Sequence, residues 1–302
     1  MLIVTWVFLF SLFRPMVNQK LFPKMGKLLM MLILYHCLET AISLECLDGC
    51  HYSSHPDGKR QAHCCTDNIT STVSNIDPDT THLLVVLKDV SYFHDPADIF
   101  PDFSHLTNLE ALLLDHDHLY SFSKVQLQRS SFPQPCKLRI FKSQLQLNFT
   151  PDAFADMIHL EVLSLSNTAS SWDIFPRFMN ESLCQMQDLK ILDLTQFSET
   201  YSTALEEFLP NKVFAGCEIP SLLKLSLRGN GIVKLYSKFY VPFPNISYLD
   251  ASYNKLLKTN FYIIPQGFLQ MFYFMLLNPL HTIDLGYQMT KSEKREYFTE
   301  KD

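Results

Sequence analysis

Five segments of this chain repeat one spacing of apolar residues: "LEALLLDHDHL" from Leu109, "LEVLSLSNT" from Leu160, "LKILDLTQF" from Leu189, "LLKLSLRGNGI" from Leu222 and "ISYLDASYNKL" from Ile246. Each follows LxxLxLxxN or a relaxed form of it, so two apolar residues alternate with residues of other kinds. A period of two is that of a short strand with one face in the core and the other outside. With the copy from Cys136 that lies between the first two, successive copies are 24 to 33 residues apart. One such unit cannot bury its own apolar face, so the copies must stack, their strands forming a parallel sheet and their longer connections returning behind it. The expected fold class is an α/β solenoid.

This spacing is that of the leucine-rich repeat. "CKLRIFKSQL" from Cys136 adds a copy, with Leu138 and Ile140 as the inward pair. "THLLVVLKDV" supplies an earlier strand whose register admits either Leu84 with Val86 or Val85 with Leu87. The asparagine at the ninth position, Asn230 and Asn254 here, ends the strand at a turn where a polar side chain can satisfy backbone groups. Asp117, Ser143, Thr168 and Phe197 stand there in other copies. Phe100, Phe103, Phe154 and Phe214 are apolar landmarks of the returning face.

At the far end, residues 259–283 carry no charge, which raises a membrane segment. Pro265 and Gly267 with Gln266 and Gln270 favour a degenerate repeat instead, "FYFMLLNPLHTI", with Tyr273 and Met275 inward and Asn278 one period after Asn254. Residues 81–283 thus hold about seven to eight repeats, followed by a polar tail, 284–302.

Residues 25–43, "MGKLLMMLILYHCLETAIS", have a lysine, an apolar stretch and small residues before Leu44, the pattern of a secretory signal. Residues 1–24 read as an upstream extension, or as an anchor if residues 1–38 are retained. Cys46, Cys50, Cys64 and Cys65 cluster directly after the signal, in residues 44–80, which form an expected amino-terminal cap. In an oxidising compartment they read as two disulfides, Cys64 and Cys65 each reaching back to Cys46 or Cys50, since adjacent cysteines bond each other only with strain. A zinc site is the rival reading, because His51, His55 and His63 lie inside the cluster. Cys184 and Cys217 each precede the first inward leucine of their repeats, Leu192 and Leu225, by eight residues. A disulfide or two buried thiols would fit. Cys136 has no evident partner. Four Asn-x-Ser/Thr acceptors, Asn68, Asn148, Asn180 and Asn245, suit secretion.

The net charge of −6 gives no electrostatic reason to expect nucleic acid as a partner. Phosphate-loop, dinucleotide, serine-hydrolase and zinc-protease motifs are absent, so neither an enzyme nor a cofactor is expected. The stretch "LDHDHLY" from Leu114 resembles a metal or acid/base site. In repeat register, however, Asp117 is a turn residue, while Asp115 and His116 face outwards from a strand whose inward leucines are Leu112 and Leu114.

The third, fifth, seventh and eighth positions of each repeat line the outer, concave face of the sheet. They give Lys137, Arg139, Phe141 and Lys142 in one layer and Ile191, Asp193 and Thr195 in another. Lys224, Ser226 and Arg228 come next, then Tyr248, Asp250 and Tyr253. Of these, Lys137, Arg139, Phe141, Lys142, Asp193, Lys224, Arg228, Tyr248, Asp250 and Tyr253, with Asp115 and His116, are the twelve candidate ligand contacts. Lys137, Arg139 and Lys142 form the most basic patch, either a meeting point for an anionic ligand or a solvated face.

The cysteine cap, irregular repeats of F..L..L..L.L..N type, cysteines ahead of the repeat and several sequons resemble the extracellular domain of Toll-like receptors over residues 44–283. That resemblance implies a leucine-rich-repeat horseshoe that binds microbial or endogenous ligands and dimerises with itself or another receptor. It also implies passing a signal through a membrane helix. The ligand would be a protein, lipid or glycan on the extracellular side. Fewer repeats, no carboxy-terminal cap and no cytoplasmic signalling domain mark an expected fragment or soluble form. The competing function is a secreted matrix or adhesion protein on the same scaffold.

Overall fold

The structure is a computed structural model that describes residues 49–54, 57–88, 101–116, 125–145, 147–166, 175–197, 207–208, 217–232, 234–235, 242–255 and 282–284. The signal region, Cys46, His55, Phe100, Phe214, Asp117, Thr168, Tyr273, Met275, Asn278 and the polar tail lie outside these residues. The strands are β1 (Gly49–Ser54), β2 (Arg60–Thr66), β3 (His82–Leu87), β4 (Ala111–His116) and β5 (Val125–Leu127). β6 (Ile140–Ser143), β7 (Leu147–Phe149), β8 (Val162–Leu165) and β9 (Ile191–Asp193) follow. The last are β10 (Glu207–Phe208), β11 (Lys224–Ser226), β12 (Lys234–Leu235), β13 (Tyr248–Asp250) and β14 (Thr282–Asp284).

Ten strands make one sheet, ordered β1-β2-β3-β4-β6-β8-β9-β11-β13-β14. β1 runs antiparallel to β2, and each later neighbour is parallel. Strands in chain order, each joined to the next by a returning segment, are what stacked repeats require. The returning segments carry little helix among the described residues. They hold two short parallel ladders, β5 with β7 and β10 with β12, and two helices, α1 (Ile69–Ser74) and α2 (Phe175–Glu181). Asn68 caps α1, its side chain accepting from Ser71 N at 3.0 Å.

Registered pairing puts Leu83, Leu112, Phe141, Leu163, Leu192, Leu225, Leu249 and Ile283 in one line across the sheet. In β3 the buried alternation is Leu83, Val85 and Leu87, the parity of Val85 with Leu87, but the pair registered with Leu112 and Leu114 is Leu83 and Val85, and Leu84 faces out. One expectation fails. Leu138 is not one of an inward pair with Ile140: it takes the first-leucine place, and Phe141 and Ser143 are the inward residues of β6 while Ile140 is half-buried on the outer face. The serine in a leucine slot hides this register; its hydroxyl accepts from Leu145 N at 3.1 Å. At the far end β14 pairs with β13, Ile283 beside Leu249 and 34 residues on. Thr282 and Ile283 thus belong to the sheet, while the strand expected at Tyr273 and Met275 lies outside the described residues. Among the described residues no helix is long and apolar enough to cross a membrane.

Phe141 reaches a stack of buried rings that threads the layers. It meets Phe132 edge-on at 5.9 Å and Phe154 at 5.4 Å, and Phe154 meets Phe178 at 5.7 Å. Phe149 touches Phe154, Phe178 and Phe197. Phe197 occupies an asparagine position, and an aromatic residue fills that place from the core side.

The asparagines do their work in pairs of layers. The Asn254 amide oxygen accepts from the backbone N–H of both Asn230 and Ile232 at 3.0 Å, and its nitrogen donates to the carbonyls of Leu227, Ala251 and Ser252. Asn230 repeats this one layer earlier, accepting from Phe197 N and donating to Leu194 O and Arg228 O. The residue just before, the eighth of each repeat, lies in the left-handed region at Gln196 (φ 49), Gly229 (φ 71) and Tyr253 (φ 54). The turn out of the strand demands that conformation, and a Cβ on Gly229 would approach Gln196 Cγ to 2.8 Å. Disulfides add covalent ties: Cys50 to its registered partner Cys64 across β1–β2, and Cys184 to Cys217 between adjacent layers. Cys65 is also disulfide-bonded, while Cys136 is a buried thiol.

Candidate ligand-binding face

Side chains on the outer face follow the registered pairs, so each repeat position becomes a row crossing the strands. Position three reads Ala111, Ile140, Val162, Ile191, Lys224 and Tyr248 from β4 to β13. Position five reads Leu84, Leu113, Lys142, Ser164, Asp193, Ser226 and Asp250 from β3 to β13. Pleating makes these residues point away from the Phe141 side.

Among the twelve candidate contacts, the structure groups five. Lys224 and Tyr248 are direct partners in the β11–β13 ladder, the ammonium 4.9 Å from the ring centre. The Arg228 guanidinium lies 4.1 Å above the Tyr253 ring. Such cation–aromatic contacts hold flexible cations in place while leaving one side to solvent. Burial, then the carboxylates of Asp250 and Asp284, push the Tyr248 hydroxyl above its ordinary pKa. Asp250 sits between the two tyrosines in sequence, and its Oδ1 accepts from Ser252 N and Oγ. Asp193 is tied similarly, accepting from Thr195 N and Oγ1 and from Ser164 Oγ. Those two aspartates therefore shape the strand ends.

The others are dispersed. Phe141 is fully buried and is withdrawn as a contact: its large apolar ring fills the slot that the register assigns to an inward leucine. With it goes the proposed basic patch. Only Lys142 lies in a sheet strand on the outer face; Lys137 and Arg139 precede β6, because Leu138 begins the repeat instead of centring it. Lys137 donates to Asn108 Oδ1 at 3.0 Å, and Arg139 pairs with Glu161. Asp115 and His116 end β4, where Asp115 Oδ1 accepts from His116 N; the buried His116 Nδ1 has no hydrogen-bond partner. Among the described residues no three His, Cys, Asp or Glu side chains group as metal ligands. His63, opposite His51 in the β1–β2 ladder, has its pKa lowered by burial and then by His51.

Sequence reasoning missed the second residue of each repeat. The Glu161 carboxylate, 9% exposed, is held by Lys190 on one side and Arg139 on the other, one residue from each of three successive repeats. Burial raises its pKa, but the hydrogen bonds from Lys190 and Arg139 outweigh that, and the net shift is downwards. The pattern L-E/K/R-x-L was visible, but only the register shows that these charges meet. Asn68, Asn148, Asn180 and Asn245 are all exposed, and none lies in a strand of the ten-stranded sheet.

No protein-family model matches the chain, and no curated protein does. Among solved structures the chain is similar to one in the Drosophila Toll–Spatzle complex, at 14% identity and a TM-score of 0.44, over 82% of this chain and 33% of that one. It is similar also to one in the TLR13–ssRNA13 complex, at 19% identity and a TM-score of 0.34, over 70% of this chain and 33% of that one. This chain spans about a third of the length of these two chains. The leucine-rich-repeat-like fold rests on the strand order, register and asparagine turns described above.

Proposed function

We propose that this chain is a non-enzymatic, extracellular ligand-recognition domain of Toll-like receptor type. Its repeats curve into a horseshoe, β1, β2 and α1 cap the first layer, and the outer face of the sheet takes the ligand. The observation that carries the reading is the β11–β13 part of that face, where Lys224, Arg228, Tyr248 and Tyr253 stand in registered, mutually braced positions. Tyrosine and arginine are favoured at recognition surfaces because they supply large contacts with a polar tip. Two disulfides among the described residues support an oxidising compartment. Exposed sequons away from the sheet leave that face clear of sugar.

The test is to express the full chain in a secreting eukaryotic cell and titrate the protein from the medium with a diacylated lipopeptide, a β-glucan, a folded protein ligand and single-stranded RNA. We expect binding of at least one class other than RNA, weakened by Tyr248→Ala with Arg228→Ala and unaffected by Arg177→Ala on α2. Retention inside the cell with reduced cysteines, or binding indifferent to the face substitutions, would overturn the reading.

A further inference from the structure

Five consecutive strands of the sheet each place one half-buried aliphatic side chain on the outer face: Leu84 on β3, Leu113 on β4, Ile140 on β6, Val162 on β8 and Ile191 on β9. Ile140, Val162 and Ile191 are direct ladder partners, and Leu113 is the diagonal neighbour of Ile140. The line is one residue wide. On one side run Glu110, Arg139, Glu161 and Lys190, and on the other Lys142, Ser164 and Asp193. In the same row, the next partner after Ile191 is Lys224, which is followed by Tyr248.

A stable protein interface buries about 800 Å² on each partner, with its most apolar part at the centre. A single file of half-buried aliphatics between charged flanks is too narrow for that and fits a linear chain. With strands about 4.8 Å apart, Leu113 to Ile191 covers about 14 Å, close to the roughly 15 Å depth of one leaflet in a bilayer core of about 30 Å. We infer that this row seats the acyl chain of a monomeric anionic amphiphile, with its phosphate or carboxylate at the Lys224 ammonium and the Tyr248 hydroxyl. Charge complementarity sets the direction. The Lys224 ammonium stands at one end of the apolar line; of the carboxylates around it, Asp193 has both oxygens engaged by Thr195 and Ser164, Asp250 has Oδ1 engaged by Ser252, and Asp284 lies opposite Asp250 on β14. The inference deepens the reading that the sheet's outer face takes the ligand, and rests on it.

The experiment titrates the full secreted chain calorimetrically with octyl, decyl and dodecyl phosphate, each below its micelle concentration. Affinity should rise about twofold per added methylene, half-burial giving the square root of the roughly fourfold expected for full burial. Lys224→Ala should weaken all three by roughly tenfold, as for loss of a charged hydrogen bond. The β-branched swaps Ile140→Thr and Val162→Thr, which keep strand preference, should flatten the chain-length gradient without changing the melting temperature by more than a few degrees. An affinity independent of chain length, an unchanged gradient in the threonine variants, or binding only to phosphatidylglycerol vesicles overturns the inference. So does preference for an extended peptide of alternating Val and Glu over dodecyl phosphate. A flat gradient with face-dependent binding in the ligand panel overturns this inference alone, whereas loss of face dependence in the panel removes the reading beneath it.

Discussion

Replacing Asn254 by alanine removes the side chain that joins the layers of β11 and β13. Five hydrogen bonds end there, two accepted from the buried N–H groups of Asn230 and Ile232 and three donated to carbonyls. Asn254 is fully buried, so water cannot replace what is lost. Each buried group left unsatisfied costs about 1–3 kcal/mol, and the two orphaned donors alone amount to about 4 kcal/mol at the middle of that range. Against a stability of roughly 5–15 kcal/mol for a folded domain this is severe. Layers contact mainly their neighbours, so the damage should begin locally. Equilibrium unfolding in urea, followed by tyrosine fluorescence and circular dichroism, should show an early transition confined to part of the signal. Asn108→Ala, which removes only an acceptor from exposed Lys137, should change stability by less than about 0.5 kcal/mol. If Asn254→Ala unfolds within that same margin, the ladder is not what holds the turns.

Phe141→Ala should cost about 3–5 kcal/mol by denaturant titration, whereas a solvent-facing residue at 141 would tolerate the change. The Glu161 carboxylate has a folded pKa below its ordinary 4.5, so it contributes stability fully present above about that pH and lost as pH falls through the lowered value. Melting temperature should therefore drop on acidification below pH 4.5, and Glu161→Gln should show a shallower acid limb; an unchanged limb would mean the Arg139–Glu161–Lys190 chain is not coupled to folding. Reduction of the Cys184–Cys217 bond, or Cys217→Ser, should destabilise by about 3 kcal/mol, read from the urea midpoint. Cys136, buried with its thiol pKa pushed up chiefly by that burial, should react with a thiol reagent only after unfolding.

Much of the sheet could be read directly from the chain. Leu112 with Leu114, Leu163 with Leu165, Leu192 with Leu194 and Leu225 with Leu227 are buried as the period of two requires. Asn230 and Asn254 make the turn bonds their residue type suggests. The reading failed where a single residue departed from type. Ser143 in a leucine slot moved the apparent register of β6 by three residues, turned Phe141 outwards and created a basic patch that is not there. The charged chain through Glu161 and the outer aliphatic line were beyond a one-dimensional reading, because each takes one residue per repeat and repeats vary in length. Only the ladder register brings such residues side by side. For the candidate face, residue type found Lys224, Arg228, Tyr248 and Tyr253, but not which ring each cation would cover.

The most direct test of the stacked, extracellular account is peptide mapping of the secreted protein without reduction. It should recover Cys50 linked to Cys64 and Cys184 linked to Cys217, with Cys136 as a thiol. Free thiols at Cys184 and Cys217 would contradict the covalent tie between their layers, and an unpaired Cys50 and Cys64 would contradict the oxidising compartment on which the proposed function depends.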